Sequence, residues 1–224
     1  MEKLYPESGV ELNPFVSKHY DKLMNVLSFG KYKGFIHRAI NDMHIQKSDH
    51  ILDLGCGTGR NACLMMQYLN DKGSITGLDI SDTMEIQFKK NCGKFPNTEF
   101  INRRIDQPFQ SDKIYDKVFI SFVLHGFPQY IRENIIKNAY NHLKPGGTFN
   151  ILDFGEFDMH AMPFYYRIPF QKGECPYAFD FIERDLKKML AEFGFGEFQE
   201  MLYFHNYGRL MIARKISGKG NKSR

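Results

Sequence analysis

The residues of this chain whose types and spacing could do chemistry are Asp53, the glycines at 55, 57 and 59, Asp79 and His125. The glycines fall in Ile51-Leu-Asp-Leu-Gly-Cys-Gly-Thr-Gly59, directly after a short apolar run and before a helical one. Such a turn lets backbone approach a ligand closely at a helix N-terminus. A dinucleotide site wants G-x-G-x-x-G, whereas here the third glycine comes one residue early and Asp53 stands two residues before the first. Both departures favour a different nucleoside-bearing cofactor, because an acid at that place can face the amino group of a methionine moiety, a charge that a pyrophosphate lacks. Twenty residues beyond Gly59, Asp79 closes a second strand pattern in Gly77-Leu-Asp-Ile-Ser81, with Ile80 beside it. A carboxylate there can accept both ribose hydroxyl hydrogens. The alternative role for Asp79, capping the next helix, is already supplied by Ser81 and Asp82. Together the two motifs predict S-adenosylmethionine as cofactor and S-adenosylhomocysteine as product.

A sulfonium already activates its methyl group, so a protein using it must align nucleophile, carbon and sulfur and exclude water. If the acceptor carries a hydroxyl, a general base near neutral pKa raises its nucleophilicity. His125 is the candidate: Ser121-Phe-Val-Leu-His-Gly126 puts it just past a strand, at the carboxyl edge where open α/β sheets bind ligands. The competing reading is a hydrogen-bonded loop histidine. His19, beside Tyr20, is a second histidine within the pattern.

These residues need elements to hold them, and hydrophobic patterning supplies the elements. Strand patterns run over His50–Leu54, Ser74–Leu78, Glu99–Asn102, Tyr115–Phe122 and Thr148–Phe154, each short, apolar and bounded by turn residues. Helical spacing occupies Arg60–Asn70, Ser81–Asn91 and Pro128–Leu143 between them, and Pro14–Leu27 and Lys31–Met43 before them. Such alternation predicts a parallel sheet covered by helices. Gly155 to Ala178 is aromatic-rich, contains Pro163, Pro169 and Pro176, and follows neither period, which is the pattern of a lid or binding loop. A helix over Ile182–Phe193 then leads to an antiparallel hairpin of Phe198–Phe204 and Leu210–Ala213 at the sheet edge.

Composition removes several classes. The 224 residues, 42% hydrophobic, fit one compact domain. The net charge of +4 is a property of the end of the chain: without Arg214, Lys215, Lys219, Lys222 and Arg224, 25 of the 30 basic side chains face 26 acidic ones. The body therefore offers no field for nucleic acid. There is no signal-type or membrane-spanning run, and Cys56, Cys63, Cys92 and Cys175 show no metal-ligand or disulfide spacing. A cytoplasmic setting, no metal, and small apolar roles for the cysteines are expected.

On these motifs the chain resembles class I S-adenosylmethionine-dependent methyltransferases from Phe15 to Ala213. Phe15 to Gly30, Tyr115-Asp-Lys-Val-Phe-Ile-Ser-Phe122 and Leu143-Lys-Pro-Gly-Gly147 are similar to segments of the quinone C-methyltransferases of ubiquinone and menaquinone synthesis, the UbiE-like family. That family carries Arg-Asn where this chain has His125-Gly126, and its counterpart of the lid is longer. The resemblance implies cofactor contacts from Thr58, Asp79 and Ser121, and closure by Tyr20. It places Arg104-Ile105, with Asp106 as substitute, at the adenine. For Arg103 and Arg104 a solvated basic pair is the alternative. Gly173-Glu-Cys175 is similar to arsenite methyltransferases, but Phe122 stands where their fourth-strand cysteine is expected, and one thiol cannot hold a soft metalloid. No Asn/Asp-Pro-Pro-aromatic run follows the fourth strand, which argues against exocyclic-amine methylation, and Ile120-Ser-Phe122 offers no carboxylate for a catechol-type metal site.

The expected fold is α/β, a doubly wound seven-stranded sheet with the last strand antiparallel and helices on both faces, the Rossmann-like methyltransferase fold. One methyltransferase domain spans 1–213, with a helical cover over 1–45 and a lid over 155–181, and 214–224 forms a basic tail. The expected reaction is methyl transfer to a small apolar or aromatic acceptor, with C-methylation of a quinol-like ring leading. O-, N- or S-methylation of another small molecule or a lipid head group, and a noncatalytic cofactor-binding module, are the alternatives, with a nicotinamide oxidoreductase further off. Peripheral contact with a membrane surface stays open, as does the oligomeric state.

Overall fold

The computed structural model describes Ser8 and residues 31–216. Seven strands form one sheet in the order β3-β2-β1-β4-β5-β7-β6: β1 His50–Leu54, β2 Ser74–Asp79, β3 Thr98–Asn102, β4 Tyr115–Ser121, β5 Leu143–Phe154, β6 Phe195–Tyr203 and β7 Gly208–Lys215. The first five are parallel, and β7 lies antiparallel between β5 and β6. Chain order reverses between β1 and β4, the point at which such sheets open a crevice beyond their carboxyl ends. Leu54 pairs with Ile120 across that point, so the glycine turn leaving β1 lies beside the Ser121 end of β4.

Two apolar cores flank the sheet. On one face, α1 (Lys31–Asp42) contributes Phe35, Ile36, Ala39 and Ile40, α2 (Arg60–Met65) Ala62 and Met65, and α3 (Asp82–Cys92) Phe88 and Cys92. On the other, α4 (Gln129–His142) inserts Ile131, Ile135, Ile136 and Ala139, the helical stripe legible in the sequence. The α2 helix is shorter than Arg60–Asn70, because it tightens into a 3₁₀ turn at Met66–Tyr68.

The segment after β5 is helical where a loop was expected. It holds α5 (Phe164–Gly173) and α6 (Pro176–Ile182), before α7 (Leu186–Glu192). The α5 helix buries no residue, so it has no core-facing stripe to give its sequence a period. At the other end β7 runs on through Arg214 and Lys215, past the expected boundary at 213. Arg214 reaches Glu197 at 2.8 Å and the Gly146 carbonyl at 2.6 Å, and Lys215 donates to the carbonyls of Tyr140 and Leu143. Among the described residues no helix is long and apolar enough to cross a membrane.

Candidate active site at the carboxyl edge of the sheet

The glycine turn is built by backbone that only glycine adopts without cost. Gly55, Gly57 and Gly59 have φ of 73°, 54° and 75°, all in the left-handed region. A Cβ on Gly59 would stand 2.7 Å from the Phe88 ring and 2.9 Å from Cys92 Sγ, so the glycine also seats α2 against α3. Asp79 ties the turn to the second strand: Oδ2 accepts from the Gly57 N–H at 3.0 Å and Oδ1 from the Ser81 N–H at 3.0 Å. Ser81 caps α3 through its own hydroxyl, as expected. Burial raises the Asp79 pKa, and the backbone N–H bonds hold back part of that rise.

Asp53, next to the turn, is 2% exposed, and among the described residues its Oδ2 has no hydrogen-bond partner. Burial first, then the nearby Asp79 charge, push its pKa up to about 7. An orphaned, buried carboxylate oxygen beside an open glycine turn suits a cationic group that brings its own N–H donors. A methionine ammonium meets that description, and the residues present fit S-adenosylmethionine.

The other expected contacts fall around the same edge. Thr58 lies in the turn, where its carbonyl accepts from Asn91, and Ile80 follows Asp79 at the surface, 38% exposed. Ser121 ends β4 and pairs with Leu152. Arg104 forms a two-pronged pair with the buried Asp106, Nε to Oδ1 at 3.0 Å and NH2 to Oδ2 at 2.6 Å. Ile105 packs its side chain into the core and gives its carbonyl to Asn138. Tyr20 and His19 lie outside the described residues.

His125 stands in a 3₁₀ turn, Leu124–Gly126, that β4 enters through Phe122, a non-glycine residue at φ 51°. The sequence pattern places the histidine there but not its partners. Asp153, at the end of β5 and fully buried, accepts from His125 Nδ1 at 2.6 Å, from the Phe154 N–H at 2.8 Å and from the His125 N–H at 3.2 Å. With two backbone N–H groups already donating to it, the carboxylate acts as acceptor, which assigns the ring proton to Nδ1 and leaves Nε2 for chemistry. On that side Glu174, between α5 and α6, lies 3.5 Å from Nε2. Burial lowers the His125 pKa, but the charge and hydrogen bond of Asp153, with Glu174, outweigh burial and Arg132, and the net shift is upward.

Arg132 holds this turn to the segment after β5. Fully buried on α4, it donates to the carbonyls of Leu124, His125 and Tyr177 and pairs with Asp180 at 2.6 Å. Phe154 leans on His125 with centroids 4.7 Å apart and meets Phe170 edge-on at 5.1 Å, and Phe170 in turn meets Phe157 and Phe179. Asp153 and Arg132 were not singled out from the sequence, and Glu174 figured there only within Gly173-Glu-Cys175; only an acid two residues before Gly155, at a strand's end, could have drawn attention to Asp153. Also unforeseen is the contact of Cys63 and Cys92, whose sulfurs are 2.7 Å apart across α2 and α3.

Comparison with known proteins bears on the same edge. The model of the ubiE/COQ5 methyltransferase family matches residues 9–196. The demethylmenaquinone methyltransferase of Staphylococcus aureus (strain JH9) is 30% identical over 199 residues, which cover 80% of this chain and 81% of that protein. Among solved structures, a SAM-dependent methyltransferase from Aquifex aeolicus aligns with a TM-score of 0.65 at 15% identity, covering 92% of this chain and 100% of that one. The N-methyltransferase NodS from Bradyrhizobium japonicum WM9, solved with S-adenosyl-L-homocysteine, aligns at 0.60 and 14% identity, covering 85% and 88%.

Proposed function

Since this chain belongs to the ubiE/COQ5 methyltransferase family and is an S-adenosylmethionine-dependent methyltransferase, we propose that its acceptor is a ring carbon of a small quinol-like molecule. The observation that carries this reading is the Asp153–His125 pair, which leaves an imidazole Nε2 at the carboxyl edge, walled by Phe154 and the lid aromatics. A hydroxyl on the acceptor ring gives its proton to Nε2, and the electron density left on the oxygen is delocalised to the ring carbon that attacks. The aromatic wall suits a flat apolar acceptor. The relative at 30% identity is a demethylmenaquinone methyltransferase by name, which supports a quinone-type ring as substrate.

The remaining residues take the cofactor. S-adenosylmethionine supplies the activated methyl carbon. In this reading Asp53 accepts from the ammonium, Asp79 from the ribose hydroxyls, and the Gly55–Gly59 turn with Thr58 passes along the methionine moiety. Ile80, Ser121 and the 104–106 segment border the adenosine. Methylation of the hydroxyl oxygen itself is the second reading, because the same base would prepare that atom.

Incubation with methyl-labelled S-adenosylmethionine and a set of naphthoquinols, phenols, amines and thiols tests the proposal. A carbon-bound methyl on a quinol ring, located by carbon-13 NMR of the product, is expected. Transfer to amines or thiols with none to quinols or phenols would overturn it.

A further inference from the structure

The lid residue Glu174 faces the one ring nitrogen of His125 that Asp153 leaves free, an arrangement that concerns the fate of the acceptor's proton rather than its removal. Nε2 and Glu174 Oε2 are 3.5 Å apart, about half an ångström longer than a usual N–H···O contact. The Glu174 side chain is 29% exposed and the His125 side chain 11%, so the carboxylate touches both the buried imidazole and solvent. We propose that Glu174 is the proton outlet of His125, taking from Nε2 the proton that the imidazole has removed from the acceptor hydroxyl and passing it to solvent. The inference rests on His125 acting as the base.

The transfers balance. The acceptor O–H bond breaks with its pair left on oxygen, and an N–H bond forms at Nε2. That N–H bond then breaks with its pair left on nitrogen, and an O–H bond forms at Glu174 Oε2. His125 returns to the neutral tautomer fixed by Asp153, and the neutral Glu174 carboxyl loses the proton to water. Once the ring carbon has taken the methyl group, its C–H bond breaks with the pair returning to the ring, that proton goes to water and the oxygen regains one from water, so one proton leaves overall. Without such an outlet the imidazolium would stay trapped between a buried carboxylate and the aromatic wall.

Among the described residues the charged groups around the ring are Asp153 from β5, Glu174 from the segment between α5 and α6, and Arg132 from α4, the last paired with Asp180. Burial raises the Glu174 pKa, while the His125 charge lowers it and that of Asp153 raises it further.

The test compares the full-length protein with E174Q, E174D and H125N. Nitrogen-15 NMR follows the His125 ring across pH in the free protein, and kcat/KM is measured with an accepted quinol or phenol. In E174Q the His125 titration and the acid limb of kcat/KM should both move about one to two pH units lower, as expected on losing an opposite charge at this range. Its kcat should fall about ten-fold or more at neutral pH, and E174D should restore part of both. An E174Q protein with an unmoved His125 titration and an unmoved acid limb would overturn the role of Glu174, whatever its effect on KM, and leave His125 standing as base. Full turnover by H125N would instead remove the base and with it the reading beneath this inference.

Discussion

His125 and Asp153 are joined twice, ring nitrogen to carboxylate at 2.6 Å and backbone N–H to carboxylate at 3.2 Å, across the ends of two neighbouring strands. The double bond fixes both the position of the turn and the orientation of its imidazole. Asp153 also accepts from its neighbour Phe154, so all its bonds come from N–H donors.

Replacing Asp153 by Asn tests that coupling. An amide can present N–H to Nδ1, which moves the ring proton to Nε2 and removes the lone pair the acceptor needs. Turnover should fall on the order of 10²- to 10⁴-fold, with binding of S-adenosylhomocysteine little changed. Nitrogen-15 shifts of the His125 ring would report the change of tautomer, and an unchanged tautomer with full turnover would contradict it.

Asp53→Asn separates binding from stability. The carboxylate would lose its pairing with a cofactor ammonium, at a cost of about 2–4 kcal/mol, or on the order of 30- to 1000-fold in affinity. Calorimetry with S-adenosylhomocysteine measures it. For the natural protein, titrations below pH 7 in buffers of different ionisation enthalpy should show release of a proton on binding, since an ammonium partner favours the charged form of a group whose pKa stands at about 7.

The same residue sets a pH dependence of the cofactor-free protein. Its folded pKa, about 7, is raised above the unfolded value of 3.8. In that interval the folded state holds a proton that the unfolded state does not, so stability is fullest below about pH 4 and is lost as pH rises through 7. Urea unfolding should therefore find the D53N protein more stable than the natural one at pH 8, with the gap shrinking toward pH 4. A gap that widens toward low pH would contradict burial as the cause.

Gly59→Ala should be destabilising by about 1–3 kcal/mol, because the methyl group meets Phe88 and Cys92 at under 3 Å and the residue sits at φ 75°. A lowered melting temperature together with weakened S-adenosylhomocysteine binding is expected, since the glycine turn and the α2–α3 contact share this residue.

Arg132→Met should loosen the lid and the His125 turn together. The substitution keeps much of the apolar volume but removes the guanidinium hydrogen bonds to the carbonyls of Leu124, His125 and Tyr177. A loss of about 2–4 kcal/mol is expected, with faster amide exchange at both 124–126 and 176–182. Exchange that changes in only one of these segments would show that Arg132 does not couple them.

What the sequence by itself determined is what local chemistry dictates. The strands β1, β2 and β4 and the stripe of α4 follow from apolar periodicity, because each buries its side chains in a core running along the element. The glycine turn and Asp79 were legible for the same reason: φ constraints and a strand-end acid leave their mark within a few residues. The rest was decided by tertiary structure. The α5 helix has no buried face and so no period, and it was expected as loop. Asp153, Arg132 and Glu174 look in the sequence like ordinary charges; only the pairing of β4 with β5 and the return of the lid over the sheet edge bring them to one imidazole. Which nitrogen of His125 is free depends on those contacts, because a ring's tautomer is set by the partner of its other nitrogen and not by its neighbours in the chain.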